Sequence, residues 1–446
     1  MTVATSDEFC AYVAERHPGD TDFHHAVRDV VADVWDDYAH TDGHREARIL
    51  ERLIEPDRLV SFRVTWEDDD GAVHVNRGTR VQHNDALGPY KGGIRFHPTV
   101  TADTLKFLAF EQTFKNALTD LPMGGGKGGA DFDPKWRSDR EIMRFCQAFM
   151  GELHRYIGPD TDIPAGDINV GEREIGYLFG AYRKIKNAYE GALTGKGLSF
   201  GGSPLRTEAT GFGLMHFVRA IAKAQGRSIE GERVAISGAG NVATHAAECA
   251  IVHGAKVVTL SDSGGTLCCD SGLTHDTVAN IRAHKSDGGR LSDFAERNGF
   301  DFEGDAKPWA IACAIALPCA TQNELDEADA RALADGHCWL IGEGANMPLT
   351  AEARSVVDES DIVLAPAKAA NAGGVAISGL EIMQNQMRKA LTRNEVSDEL
   401  ARIMTRIHDT CTEFGGGDGK RVDYPRGANR AAYHRVARAM LAQGVR

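Results

Sequence analysis

The chain is poor in lysine and proline, carries no excess of basic charge and contains no long hydrophobic run. Of its 446 residues, 64 are acidic and 50 basic, so the formal net charge is −14. Nucleic-acid backbones and anionic membrane surfaces need a basic face, and this balance disfavours both partners. No apolar stretch approaches the roughly 18 residues of a membrane-spanning helix. Residues 1–20 contain acids and no apolar segment, so we expect no signal peptide.

Cysteine occurs nine times but without a metal-binding pattern. No CxxC pair or Cys/His cluster has the spacing of metal ligands. We therefore expect no metal ion, and reduced, packed thiols in the cytoplasm rather than disulfides.

Glycine, in contrast, is abundant, with 49 residues in the chain. The usual share is about 7%. Because there are only 14 prolines and no repetitive tracts, these glycines indicate particular backbone positions rather than disorder. The length predicts two or three domains.

The two halves of the chain differ in pattern. Helical apolar spacing at 23–38 and 50–54 is followed by a predicted hairpin at 59–75 and a helix at 101–118. Later strands are predicted at 233–237, 256–261, 312–317, 338–342 and 362–365. Their alternation with helices predicts an open parallel sheet covered on both faces. We expect the α/β class, with two domains, a cleft between them and a boundary near residues 201–204.

A glycine turn lies between a predicted strand and a predicted helix. It consists of Gly238, Ala239, Gly240, Asn241, Val242 and Ala243. In a GxGxxA turn the first glycine permits the tight bend and the second lets the backbone approach a pyrophosphate. The amides of the helix N-terminus then bind the anion. The alternative is a tight strand–helix turn without a ligand.

Asp262 follows the next predicted strand, 24 positions after Gly238. An acid in this place binds the ribose hydroxyls of NAD and repels the 2′-phosphate of NADP. Ser263, Lys285 and Arg290 would instead meet that phosphate if Asp262 turns away. The residues alone leave this choice open.

Lys127 is the first candidate catalytic residue, because it lies among five glycines in a chain where only 15 of the 50 basic residues are lysine. Lysine, unlike arginine, loses its proton when it is desolvated or near other cations. Lys127 is therefore a candidate base or activator of water. The alternative is a solvated lysine in a flexible loop. Asp167, beside Pro164 and Gly166, is either a catalytic acid or a turn residue.

Two further sites offer cations to a substrate. Gln112 and Lys115 are three residues apart on a predicted helix and share one face. Together they can hold one carboxylate, or they form an exposed polar stripe. Lys91, in a second glycine-rich segment, is either another ligand or a solvated turn lysine.

Several motifs resemble those of glutamate dehydrogenase. They are LPMGGGKGG, PAGDINVG, TGKGLSFGG, RTEATGFG, LPCATQNELD, EGANMPLT and, at 365–385, APAKAANAGGVAISGLEIMQN. The chain resembles in particular the short hexameric type of bacteria and fungi, from about residue 50 to the C-terminus. The resemblance implies reversible conversion of L-glutamate to 2-oxoglutarate and ammonium in nitrogen assimilation. It also implies NADP as cofactor, with NAD as the alternative, and a homohexamer.

The resemblance also implies a role for each matching position. Residues 1–202 would bind substrate and form the oligomer, 203–424 would bind the dinucleotide, and a last helix at about 425–446 would pack back on the first domain. Lys127 would be the catalytic lysine and Asp167 the acid that moves protons to and from the amine. The remaining assignments are Gln112 and Lys115 for the α-carboxylate, Lys91 and Ser378 for the side-chain carboxylate, Thr210, Asn346 and Asn371 for the cofactor, and Asn241 near its pyrophosphate.

A few positions depart from the family pattern. Asn169 and Glu172 stand where glycine is usual, and Ala130 replaces a common serine. These changes affect the shape of a loop more than its chemistry.

Two other functions compete with this interpretation. Leucine, phenylalanine or valine dehydrogenases share the fold but need an apolar pocket where Lys91 and Ser378 stand, and an unpaired buried cation is costly. A catalytically silent nucleotide-binding regulator would be expected to lack Lys127 or Asp167.

Overall fold

The computed structural model describes residues 4–416 and 421–445, and the chain divides into two compact units. Within the described residues, unit 1 comprises 4–204, 377–396 and 429–445, and unit 2 comprises 205–376, 397–416 and 421–428.

Unit 1 contains a mixed five-stranded sheet with the spatial order β1-β2-β4-β3-β5. Its strands are β1 (Arg58–Glu67), β2 (Val73–Asn84), β3 (Tyr90–Phe96), β4 (Gly125–Ala130) and β5 (Asp162–Gly166). Its helices are α1 (Ser6–Arg16), α2 (Thr21–His40), α3 (Ile49–Ile54), α4 (Ala102–Leu118), α5 (Asp139–Leu153) and α6 (Glu172–Lys186). The predicted β1–β2 hairpin is confirmed, whereas β3, β4 and β5 run parallel to one another.

Helices cover both faces of this sheet. On one face, aromatic side chains of the sheet and α5 form a buried cluster that includes Trp66, Phe96, Phe145 and Phe149. On the other face α4 packs on β2 and β4. Thr101 caps α4 by accepting a hydrogen bond from the Thr104 amide at 3.1 Å, which explains why the helix begins there.

The glycine-rich segments form strands that the sequence did not predict. All six residues of β4 are buried. A methyl group at Gly92 would lie 1.5 Å from the carbonyl oxygen of Gly126, and one at Gly125 would lie 1.9 Å from Thr113 Oγ1. Glycine is therefore required here because β3, β4 and α4 approach more closely than a side chain allows.

Unit 2 contains a five-stranded parallel sheet with the order β13-β12-β11-β6-β7. Its strands are β6 (Arg233–Ile236), β7 (Lys256–Val257), β11 (Ile315–Leu317), β12 (Leu340–Gly342) and β13 (Val363–Ala365). A separate antiparallel sheet contains β8 (Thr259–Asp262), β9 (Gly265–Cys268) and β10 (Asp301–Gly304). The helices are α7 (Ala209–Ala224), α8 (Asn241–Val252), α9 (His275–Ser286), α10 (Leu291–Asn298), α11 (Glu327–Asp335), α12 (Ala351–Glu359) and α13 (Ala367–Ala370).

The predicted parallel α/β architecture of this half is confirmed, with one correction. The single strand expected at 256–261 is divided at Val258 into β7 and β8. The Val258 amide donates to Val234 in the parallel sheet, whereas its carbonyl accepts from Cys269 on the other side. The chain therefore changes partners at this residue and continues into a second sheet.

Three helices contribute residues to both units. They are α14 (Gly373–Met387), α15 (Arg393–Gly415) and α16 (Tyr424–Gln443). The predicted range of the second domain, 203–424, is wrong for residues 377–396, which belong to unit 1. They pack in unit 1 because Glu381 of α14 is fully buried there and pairs with Lys196 at 2.7 Å.

The last helix joins unit 1 from Asn429, a few residues later than predicted. Asn429 Nδ2 donates to Asp33 Oδ2 at 2.6 Å, and Arg430 Nε donates to Asp37 at 2.7 Å. Both acids lie on α2. Nowhere in 4–416 or 421–445 is a helix long and apolar enough to cross a bilayer.

Candidate active site

Three adjacent strands of unit 1 carry the central candidates. Lys91 lies on β3, Lys127 on β4, and Asp167 directly follows β5. Since β3 lies between β4 and β5, the fold gathers these positions on neighbouring strands. Lys91 is 2% exposed and Lys127 6%. The alternatives of a solvated turn or loop lysine are therefore wrong for both residues.

The carboxylate of Asp167 lies between two cations. Its Oδ1 is 3.0 Å from Lys127 Nζ, and its Oδ2 accepts a hydrogen bond from Arg95 Nε at 2.7 Å. Asp167 does lie in a turn, since its carbonyl accepts from the Val170 amide. Its side chain nevertheless belongs to a charged cluster with Lys127.

Burial and neighbouring charges shift the titration of both groups. Burial lowers the pKa of Lys127; Asp167 opposes that shift, whereas Arg95 and Arg80 add to it. Burial alone would raise the pKa of Asp167, but the charges of Lys127 and Arg95 outweigh it, so this pKa lies well below its usual range. The pair thus combines an anion with a lysine that loses its proton more easily than usual.

Helix α4 brings Gln112 and Lys115 to the same region. Gln112 Nε2 donates to Asn116 Oδ1 at 2.6 Å, and Asn116 Nδ2 donates to the Lys91 carbonyl at 3.1 Å. Burial and the charge of Lys127 lower the pKa of Lys115 to about 8. Both candidates are half-buried, so the interpretation as an exposed polar stripe is wrong.

Ser378 belongs to unit 1 as well, because it lies in the part of α14 that packs there. It is 3% exposed. A methyl group on the next residue, Gly379, would lie 2.4 Å from Leu121 and 3.2 Å from Met123 Cε. This part of α14, which includes Ser378, therefore packs at Gly379 against the segment that leads into β4.

Arg80 and Arg95 were missed by the sequence analysis. Arg80 is fully buried in β2, where its Nε donates to Asp162 Oδ2 at 2.9 Å and its Nη1 to the Gly92 carbonyl at 3.2 Å. The signal for Arg80 in the sequence was an arginine within a strand, and its neighbours in that strand are buried. Its partner, Asp162, is 82 residues away in sequence and gave no local indication.

The loop around Asp167 contains two of the unusual residues. Asn169 has a φ of 59°, a left-handed conformation that asparagine tolerates, and its Nδ2 donates to the Phe96 carbonyl at 3.0 Å. Glu172 is the first residue of α6, where a negative charge suits the helix dipole. Ala130 is fully buried at the end of β4. All three fit the backbone at their positions.

In unit 2 the glycine turn opens onto α8. Gly238 has a φ of 85° and Gly240 is the residue that caps α8, followed by exposed Asn241 and half-buried Val242. A methyl group at Gly240 would meet nothing within 4 Å. Open space over a helix N-terminus suits a pyrophosphate.

Asp262 is engaged within unit 2. Its Oδ2 accepts from Lys285 Nζ at 2.6 Å and from the Leu291 amide at 3.0 Å, and its Oδ1 accepts from the Gly264 amide at 2.9 Å. Burial would raise the pKa of Asp262, but Lys285 and these amides outweigh it and lower that pKa. The carboxylate faces α10, while Ser263 and Arg290 are exposed beside it.

Asn371 and its neighbours offer a polar group to a ligand. Asn371 Nδ2 donates to Asn346 Oδ1 at 2.9 Å and to the Gly344 carbonyl at 3.2 Å. Asn371 Oδ1 is buried and accepts no hydrogen bond. Thr210 lies nearby, since a methyl group at Gly374 would be 2.8 Å from its Oγ1. The carboxamide N–H of a nicotinamide would supply the hydrogen-bond donor that Asn371 Oδ1 lacks.

The side chains typical of metal sites are not gathered in groups of three or more in the described parts of the chain. All nine cysteines are free thiols, and six of them are buried.

Comparison with known proteins identifies the family. The family described as Glutamate/Leucine/Phenylalanine/Valine dehydrogenase matches residues 201–444, and the Glu/Leu/Phe/Val dehydrogenase dimerisation domain matches residues 56–184.

Individual relatives match over nearly the whole chain. The NADP-specific glutamate dehydrogenase of Salmonella typhimurium is 52% identical, covering 98% of this chain and 98% of the relative. The NAD(P)-specific glutamate dehydrogenase of Xylanibacter ruminicola is 49% identical, covering 96% of this chain and 97% of the relative. The crystal structure of Plasmodium falciparum glutamate dehydrogenase has a TM-score of 0.96 at 45% identity, covering 99% of this chain and 94% of that one. The chain belongs to the Glu/Leu/Phe/Val dehydrogenase family.

Proposed function

We propose that this chain is a glutamate dehydrogenase that interconverts L-glutamate and 2-oxoglutarate with release or uptake of ammonium, using NADP. The observation that carries the proposal is the ion pair of buried Lys127 with Asp167 in unit 1, together with Lys115, which interacts with both charges, and buried Lys91 on the adjacent strand. A substrate with two carboxylates would stabilise the charged form of these buried ammonium groups, whereas an apolar side chain would add to their desolvation. The full-length relatives named above support the same activity.

Each carboxylate of glutamate has its own set of ligands in this proposal. Gln112 and Lys115 on α4 hold the α-carboxylate, and Lys91 and Ser378 hold the side-chain carboxylate. Lys91 and Ser378 are almost fully buried, so their interactions with an anion act in a medium of low dielectric constant. The spacing between the two sets selects the length of the substrate.

Lys127 and Asp167 move the protons of the reaction. When bound, NADP would supply the acceptor for the hydride that leaves Cα of glutamate. Lys127, in its neutral form, takes a proton from water as that water attacks the resulting iminium carbon. The proton then passes to the amine of the carbinolamine by way of Asp167. The C–N bond breaks as the hydroxyl group forms the carbonyl, and the hydroxyl proton passes to the departing ammonia, which leaves as ammonium. The lowered pKa of Lys127 makes its neutral form available.

The residues of unit 2 fit NADP. Gly238, Gly240, Asn241 and Val242 would lie along the pyrophosphate, and Thr210, Asn346 and Asn371 would face the nicotinamide. The buried, unpartnered Asn371 Oδ1 supports this assignment.

The contacts of Asp262 favour NADP over NAD. Because Lys285 and two amides hold its carboxylate, Asp262 is not directed at a ribose hydroxyl. Ser263, Lys285 and Arg290 then supply a hydroxyl and two cations for a 2′-phosphate. Of the two alternatives that the residues left open, we propose that Asp262 turns away from the ribose and orients Lys285.

We further propose a cytoplasmic homohexamer. Nine free thiols are typical of a reducing compartment, and the first unit matches a dimerisation domain. Light scattering of the purified protein should give six times the 48.2 kDa of one chain. A mass of one chain would contradict the hexamer.

Substrate choice tests the proposed reaction. Initial rates with NADP⁺ are measured for L-glutamate, L-leucine, L-phenylalanine and L-valine at equal concentrations. Glutamate should be the substrate that reduces the coenzyme. Preference for an apolar amino acid would assign the chain to another branch of the family, and no turnover with any of them would favour the silent regulator.

A further inference from the structure

Asp167 is held by a second cation that has no part in the proposed chemistry. This inference rests on the proposed function. Lys127 Nζ lies 3.0 Å from Oδ1 of Asp167, and Arg95 Nε donates a hydrogen bond to Oδ2 at 2.7 Å. Arg95 lies at the end of β3, one strand away from Lys127 on β4. The two oxygens of one carboxylate thus face two different kinds of cation.

We propose that Arg95 is a positioning residue that fixes the Asp167 carboxylate and directs its proton exchange to Oδ1. A guanidinium is not deprotonated in a protein, so the partner of Oδ2 remains a cation throughout the reaction. Lys127 does titrate, so Oδ1 is the oxygen whose partner gives and takes a proton. Oδ1 receives a proton from Lys127 and donates it to the amine, and the reverse reaction returns it.

The backbone that carries Asp167 is held by the same end of β3. Phe96, the residue after Arg95, donates its amide to the Ile168 carbonyl at 3.1 Å. Its own carbonyl accepts from Asn169 Nδ2 at 3.0 Å. Arg95 therefore binds the side chain of Asp167, and Phe96 forms hydrogen bonds with the next two residues, Ile168 and Asn169.

Asn169 adds a contact that glycine cannot make. Its φ of 59° suits both glycine and asparagine, but asparagine also supplies the side-chain donor to Phe96. The loop is thereby connected to β3 on both sides of Ile168. A shift of Asp167 relative to Lys127 must break one of these contacts.

Two functions of Arg95 can be separated experimentally. Its charge helps to keep Asp167 ionised, and its hydrogen bond fixes the direction in which the carboxylate points. R95Q removes the charge, whereas R95K keeps the charge but replaces the planar guanidinium. N169G keeps the left-handed backbone and removes only the hydrogen bond to Phe96.

The test is the pH dependence of kcat and KM for L-glutamate oxidation with NADP⁺ in the wild type, R95Q, R95K and N169G. R95Q should lower kcat by about tenfold or more, which is less than the ~10²–10⁴-fold loss expected when a proton-transfer group itself is removed. Its KM should change much less than its kcat. The acidic limb of its kcat profile reports the deprotonation of Lys127. It should move to higher pH, because the charge of Arg95 helps to lower the pKa of Lys127 and R95Q removes that charge.

R95K should return the acidic limb to the wild-type position while kcat recovers only in part. N169G should lower kcat by a few-fold without moving that limb, since the charge is intact. R95Q with the kcat and pH profile of the wild type would overturn the inference. If R95Q does not fold, an R95K enzyme with full wild-type kcat would overturn it instead. A wild type without glutamate turnover would overturn the proposed function itself, and the inference with it.

Discussion

Single residues determine this site through the burial of charge. Lysine ammonium groups are rarely buried, because desolvation disfavours the charged form. Here Lys91 and Lys127 are nearly inaccessible and Lys115 is half-buried, and Asp167 and Arg95 supply the charge beside Lys127. In the proposed function Lys127 transfers protons, and Lys91 and Lys115 bind the carboxylates of the substrate.

Replacement of Lys127 by alanine should lower kcat by about 10²–10⁴-fold, because the group that accepts the proton of water is lost. Steady-state turnover of glutamate measures this loss. Lys135 offers the matched control, since it lies eight positions later and is exposed. K135A should keep the wild-type kcat. Near-normal turnover of K127A would contradict the role of Lys127.

The affinity for glutamate should depend on the charge of Lys115, whose pKa is about 8. Below that pH the ammonium is protonated and binds the α-carboxylate; above it the cation is lost. KM for glutamate should therefore rise above pH 8, by up to about tenfold per pH unit. K115Q should show a high KM that no longer depends on pH in this range. A wild-type KM that stays constant through this range would contradict the assignment.

Among the secondary-structure elements, the glycine strand β4 and its neighbour β3 contribute most to the geometry of the site. They were difficult to predict, since glycine is depleted in strands and no apolar alternation marks them. Their stability comes from close contact with α4 and with each other. Lys127 and Lys91 could be singled out from composition, but Arg95 could not, because its partner Asp167 is 72 residues away in sequence.

Replacement of Gly92 by alanine should disrupt the contact between β3 and β4. The new methyl group would lie 1.5 Å from the Gly126 carbonyl oxygen. The expected loss of stability is about 3 kcal/mol or more, seen as a lower thermal midpoint or as loss of soluble protein.

Gly151 is the control for this substitution. It lies within α5, and a methyl group there would meet nothing within 4 Å. G151A should leave the thermal midpoint unchanged or raise it, by up to about 1 kcal/mol in stability. Equal midpoints for G92A and the wild type would contradict the packing described for β3 and β4.

The buried pair of Lys196 and Glu381 should hold α14 to unit 1. Both side chains are fully buried and 2.7 Å apart. K196M or E381Q alone leaves one charge uncompensated, at a cost of about 3–5 kcal/mol. The double variant removes both charges and should recover most of that loss. Thermal unfolding of the four proteins measures the coupling, and additive losses would contradict it.

For the molecule as a whole, the sequence was sufficient for the class, the parallel sheet and the family. The sequence did not indicate that residues 377–396 belong to unit 1, because the Lys196–Glu381 contact joins positions 185 residues apart. It also left the cofactor open, since the orientation of Asp262 depends on Lys285 and on the amide of Leu291. Those contacts exist only after the chain has folded.

The activity and the cofactor are tested together by one assay. Purified protein is mixed with 2-oxoglutarate and ammonium, and the loss of reduced-nicotinamide absorbance is followed with NADPH and, separately, with NADH. We predict rapid oxidation of NADPH and much slower oxidation of NADH, because Asp262 is engaged by Lys285. A preference for NADH would contradict the cofactor assignment, and no oxidation of either coenzyme would contradict the proposed reaction.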